Sequence, residues 1–141
     1  MQNFKNHTRY YPLHHFILSP LTLIGVILSI VLLFSDYGLT EKIFFLVVAL
    51  SVFLTSLVAR MYATKNQDRT IRAELRLRYY ILTGKRFETL ENKLTMGQIV
   101  ALRFASDEEL LSLTEKAVNE NISPKAIKES IKNWLVDEHR V

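Results

Sequence analysis

The side chains best able to do chemistry in this 141-residue chain are four histidines, a run of acids and a series of arginines. His14 and His15 are adjacent, with His7 upstream and His139 near the end. Neighbours on a helix point about 100° apart, so a His-His pair chelates poorly unless other ligands converge. The second apolar run holds no histidine, so a haem bridged between two helices is not expected. There is no cysteine, which excludes a disulfide, a thiolate zinc site and a cysteine nucleophile. Asp107-Glu108-Glu109 clusters carboxylates, but acids in the first turn of a helix are accounted for by its dipole. No Gly-x-Ser-x-Gly, Walker or His-Glu-x-x-His pattern occurs, and four glycines leave little for a phosphate loop. The expectation is a non-enzymatic protein without catalytic, metal or cofactor residues.

The basic residues are more distinctive. Between residues 60 and 86 lie Arg60, Lys65, Arg69, Arg72, Arg76, Arg78, Lys85 and Arg86 against Asp68 and Glu74, a local net charge of +6. Residues 87–141 have seven basic and ten acidic side chains, net −3. Lys65, Arg69, Arg72 and Arg76 fall at i, i+4, i+7 and i+11, one face of a helix. Such a face suits anionic headgroups, an RNA backbone or an acidic protein. It also serves as a plain topology signal, and Asp68 and Glu74 are spaced to pair with Arg72 and Arg78. The acidic bundle folding back onto the basic helix is a further reading.

The elements that hold these groups follow from hydropathy. Half the chain is hydrophobic (49%), only 23% is charged, and mean hydropathy is +0.11. The distribution is uneven: residues 10–35 and 43–59 contain no Asp, Glu, Lys or Arg. At about 1.5 Å per residue, residues 16–34 reach roughly 28 Å and residues 43–59 roughly 25 Å, enough to cross a bilayer core. The first run exceeds the ~7–15 residues of a signal-peptide core, and no small-x-small site follows Phe34. The loop 35–41 forces an antiparallel hairpin. Lys42 stands at the loop end, while Lys5, Arg9, Arg60, Lys65, Arg69, Arg72, Arg76 and Arg78 stand at the other. By the positive-inside rule both termini are expected in the cytoplasm. Gly25 and Ser29 on the first span, with Ser51, Thr55 and Ala59 on the second, are spaced for close helix packing. Pro20 is placed to bend the first helix.

After Thr64 the composition turns charged and helix-forming. Ile71, Leu75, Tyr79 and Leu82 recur at helical spacing, so the second span is expected to run on as one helix to Thr83-Gly84. Residues 87–94 suit a short helix with Phe87, Leu90 and Leu94 on one side. Thr95 with Gln98, and Ser106 with Glu109, spell capping boxes; Ser123-Pro124 opens a last helix. There Ile127, Ile131, Trp134 and Leu135 make an i, i+4, i+7, i+8 stripe opposite Lys125, Lys128 and Lys132. Leu110, Leu113, Ala117 and Val118 repeat the pattern in the helix before it.

The opening Lys5-Asn6-His7-x-Arg9-Tyr10-Tyr11 with His14-His15-Phe16 resembles a bacterial family of unknown function, made of short two-span membrane proteins. So do the runs from Gln67-Asp68-Arg69 to Arg78-Tyr79-Tyr80, from Gly97-Gln98-Ile99 to Glu109, and from Ser123-Pro124-Lys125 to Trp134. The resemblance implies a membrane anchor with a helical cytoplasmic tail and brings no activity. The reading is therefore all-α: an N-terminal segment 1–15, a two-span hairpin 16–64, a basic juxtamembrane helix 65–86 and a helical bundle 87–141. Its expected function is that of a membrane-anchored adaptor or accessory subunit presenting the bundle to a protein partner. The alternative takes Lys65, Arg69, Arg72 and Arg76 as a face for anionic lipid or, less readily, nucleic acid. Gly25, Ser29, Ser51, Thr55 and Ala59 are the expected helix-packing residues.

Overall fold

The structure, a computed structural model, describes residues 3, 4, 6 and 10–136. Every regular element among them is helical: a π-helical turn Leu13–Leu18, then α1 Ser19–Leu32, α2 Leu39–Thr83, α3 Glu88–Glu91, α4 Met96–Leu102, α5 Asp107–Glu120 and α6 Pro124–Ser130. They belong to two compact units that divide between Thr64 and Lys65. Of the basic residues counted toward topology, Lys5 and Arg9 lie outside the described residues, as do His7 and His139.

In the first unit, Pro20 explains the opening turn. Proline donates no N–H, and its ring crowds the carbonyl four residues back, here Phe16. The chain widens to the i→i+5 pattern, with the Ser19 N–H donating to the His14 carbonyl. The helix then proceeds as α with Pro20 inside its first turn. Leu13–Leu32 and the apolar part of Leu39–Thr83 are long and apolar enough to cross a membrane, and only 11% and 6% of their apolar windows are buried. A soluble core helix shows the reverse. Large side chains such as Ile27, Leu28, Phe44 and Leu54 are more than half exposed, while Thr22, Ser29 and Ser56 are buried. Thr22 and Ser29 turn their hydroxyls back onto the carbonyls of Leu18, Ser19 and Val26, which satisfies both donors within the helix.

The residues expected to form a packing stripe differ in exposure. Ser29 is buried and Gly25 half-buried, but Ser51, Thr55 and Ala59 are exposed. On α2 the less exposed positions are Leu46, Ala49, Phe53, Ser56 and Arg60. Their spacing of three and four is also that of a packed face, turned about 100° from Thr55. Small size alone does not choose the face. Ser51, Thr55, Ser56 and Ala59 instead line an open groove with Leu18 and Val52.

In the second unit one core is built on Leu75, Phe87, Ile99, Leu102, Phe104, Leu110 and Ile127, all at most 1% exposed. Ile71 joins it from the same helix as Leu75. The segments separated at residue 86 in the sequence reading thus share a single core. α2 runs unbroken to Thr83 and stops at Gly84, whose φ of 68° is the left-handed conformation and whose N–H returns to the Tyr80 carbonyl at 2.8 Å. Thr95 and Gln98 form a complete capping box, and Ser123 accepts the Ala126 N–H ahead of Pro124.

Three expectations fail here. α3 is a single turn, ending at Glu91 rather than at Leu94. Ser106 makes no side-chain cap, and its hydroxyl is buried without a partner, while the Glu109 N–H donates to the Ser106 carbonyl at 3.1 Å. The last helix ends at Ser130, so Ile131, Trp134 and Leu135 do not continue its stripe. The Glu109 carboxylate accepts the Lys132 and Asn133 N–H groups at 3.1–3.2 Å. The Leu135 N–H donates to the Phe104 carbonyl, and the Ser106 N–H to the Asn133 carbonyl. Trp134 sits in a single antiparallel bridge to Ala105 and lies over Phe104, ring centres 5.1 Å apart. The extended segment thereby satisfies the Phe104 carbonyl just past the end of α4.

Candidate functional site: an ion-paired basic helix

The basic face divides into two parts. Lys65 and Arg69 are exposed and form no ion pair among the described residues. Arg72 and Arg76 converge on Glu91. Arg72 Nη1 donates to Oε1 at 2.6 Å and Arg76 Nε to Oε2 at 2.7 Å. The Glu91 side chain is 3% exposed, while the arginines keep 41% and 44% of theirs in the open. Burial pushes the Glu91 carboxyl up, and the hydrogen bonds and charges of Arg76 and Arg72 outweigh it, so it titrates below its ordinary 4.5. Arg72 also points its Nε at Met96 Sδ, 3.3 Å away.

Arg78 forms the second clamp. Its guanidinium reaches Asp107 Oδ1 at 2.7 Å and the carbonyls of Arg103 and Ala105 at 3.1 and 2.9 Å. It closes the end of α4 and anchors the start of α5. The i, i+4 pairs expected on the helix, Asp68 with Arg72 and Glu74 with Arg78, are absent among the described residues. Arg72 turns instead to the buried Glu91 of α3, and Arg78 to the exposed Asp107 of α5 and two backbone carbonyls, where several hydrogen bonds replace one. Asp107 and Glu109 accordingly do more than complement a dipole: one holds α2, the other the C-terminal segment.

Residue order does not single out Glu91, and it marks Gln98 only as a capping residue. Glu91 lies four residues after Phe87, on the core side of its turn, opposite a basic helix. That placement was the available signal. Gln98 is 2% exposed, and beyond its cap it donates to Asn121 Oδ1 and the Ile122 carbonyl, tying α4 to the end of α5. Beside the clamps, Leu75, Leu77, Leu135 and Val136 with Glu74, Arg78 and Arg103 line an open groove of about 290 Å³. A second recess, about 430 Å³, brings Asn3 and Phe4 beside Lys128, Glu129, Ile131, Lys132 and Trp134.

Two histidines, His14 and His15, lie among the described residues, and each meets near neighbours in the chain. His14 Nε2 lies 3.4 Å from the Ser19 hydroxyl, and His15 meets the rings of Tyr10 and His14 edge-on. Among the described residues, no three histidine or acidic side chains are grouped as metal ligands.

Fold and site together define an all-helical protein with two membrane-length apolar helices and a bundle fastened by arginine clamps. The family of unknown function DUF6526 matches residues 1–141, and the chain belongs to it. No curated protein and no solved structure matches the chain.

Proposed function

We propose that this protein is a two-span integral membrane protein of the bacterial inner membrane, with both termini in the cytoplasm. It serves as a non-enzymatic adaptor or accessory subunit that offers its helical bundle to a protein partner. The observation that carries the reading is the use made of the charged side chains. Arg72, Arg76 and Arg78 are engaged by Glu91 and Asp107, and Glu109 holds backbone, so the conspicuous ionic groups build the bundle. What stays open on the same unit is the apolar groove at Leu135 and Val136 with a charged rim, a surface for recognition. The alternative, a basic face for anionic lipid, keeps only Lys65 and Arg69 fully available.

The anchoring rests on the inverted burial of the hairpin, and the orientation on the eight-to-one bias of Lys and Arg. Asn3 and Phe4 share a unit with the bundle that follows the second span, which supports termini on one side.

Because the chain has no cysteine, single ones report cleanly. A cysteine at Tyr37 should react with an impermeant maleimide in spheroplasts and one at Asn121 only after lysis; the opposite pattern refutes the orientation. For the function, site-specific cross-linking from Val136, 58% exposed in the same groove, should trap a partner protein in intact cells, and Leu135→Asp should abolish the trap with the fold intact. If Lys65→Gln with Arg69→Gln abolishes it and Leu135→Asp does not, the basic face is the working surface.

A further inference from the structure

The last turns of α2 are apolar on two sides. Ile71 and Leu75 face the core. On the opposite side Asn66, Thr70, Ala73, Leu77 and Tyr80 are all exposed and recur at spacings of four, three, four and three. Seven charged residues lie between residues 65 and 82, and none occupies this stripe. Leu77 and Tyr80 are 60% and 56% exposed, and Ile81 beside them 71%. A 4-3 repeat is the seam of a coiled coil, and a helix with apolar residues on two faces has two partners to satisfy.

We infer that the partner on this face is the same helix of a second copy, packed in parallel. The flanking charges argue for this occupant. With Thr70 and Leu77 as the first seam positions of their heptads and Ala73 and Tyr80 as the fourth, Arg69 precedes one seam position and Glu74 follows the next. In a parallel pair those two positions meet across the seam, five residues apart, and they do so twice by symmetry. Arg69 and Glu74 are both exposed and carry no ion pair among the described residues. Each is a charge left over by the monomer and complementary to the other copy. Arg76, the other basic residue on that edge, is held by Glu91 and faces Ile81 of the second copy, so no like charges oppose. Asn66 and Thr70 put polar groups in the seam, which fixes register at a cost in stability. Two heptads are short, and anchoring both copies in one bilayer supplies the parallel orientation and the high local concentration that they need. The inference rests on the membrane reading in that respect.

The test uses full-length protein in native membranes. Ala73→Cys, oxidised in place, should give a species at twice the 16.4 kDa chain mass, and Asn92→Cys, exposed elsewhere, should not. Arg69→Glu or Glu74→Arg should each lower the Ala73→Cys cross-link about two- to five-fold, and the double exchange should restore it. Membrane-retained protein whose Ala73→Cys gives no such dimer overturns the inference alone. A cross-link to a species of another mass also overturns it, by showing a different occupant. Cross-linking unchanged by either charge reversal overturns the assigned register. Release of the protein by alkaline carbonate refutes the anchoring; the Ala73→Cys product then still decides whether the two helices meet.

Discussion

The two units of this protein are built from the same residue types with opposite insides. In the hairpin the buried side chains are Thr22, Ser29 and Ser56, and leucine, isoleucine and phenylalanine face out. In the bundle Phe87, Phe104, Leu75 and Leu102 are inside, and the charged residues are outside or paired. Water drives the second arrangement, at about 25 cal/mol per Å² of apolar surface removed from it. It cannot drive the first, which leaves most of its apolar surface uncovered. Small residues at a helix contact and apolar ones around it are what packing in lipid requires. The comparison teaches that burial alone does not identify a core: the solvent that each unit requires has to be read with it.

Substitutions sharpen that contrast in decreasing order of effect. Phe104→Ala removes a ring that is 1% exposed and supports Trp134, and should destabilise the bundle by about 3–5 kcal/mol in calorimetry. Ile27→Lys tests the other unit. Ile27 is 52% exposed, so in water the change is nearly neutral, whereas in lipid it should cost about 2.5–3.5 kcal/mol and lower the membrane-inserted fraction. Unchanged insertion would break the comparison.

Glu91→Ala should cost about 1–3 kcal/mol, at the lower end because Arg72 and Arg76 keep access to water. The same carboxyl sets a pH dependence. Its folded value is depressed, so its stabilisation is full above the ordinary 4.5 and is lost as pH falls through the folded value. Melting the bundle from pH 6 downwards should show an acid-side loss that Glu91→Gln removes. The smallest effect is expected at Thr95→Ala, about 1 kcal/mol, from loss of the capping box with Gln98. Trp134→Ala falls between these last two, since the indole is half-buried and packs on Phe104 without closing the core.

Much of this architecture was legible in residue order. Two uncharged runs, the long second helix, its stop at Gly84, the Thr95 capping box and the Pro124 start depend on neighbours within a few positions. Local chemistry of that kind is complete in the chain itself. The failures share one property: the competing partner is distant in sequence. α6 stops at Ser130 because Glu109, more than twenty residues earlier, takes the N–H groups of Lys132 and Asn133. Arg72 and Arg78 abandon Asp68 and Glu74 for Glu91 and Asp107, nineteen and twenty-nine residues away. The small-residue stripe predicted on the second span lost to its neighbour Ser56, because which side of a helix packs depends on how the turn delivers it.

The sequence by itself determined the helices, the membrane-length apolar runs and the charge asymmetry, since hydropathy, capping and periodicity are properties of short windows. Only the tertiary structure decided which arginines are held and which remain free. A guanidinium settles where the surrounding acids and carbonyls offer it the most hydrogen bonds, and those groups are brought together only when α3, α4 and α5 pack beside α2.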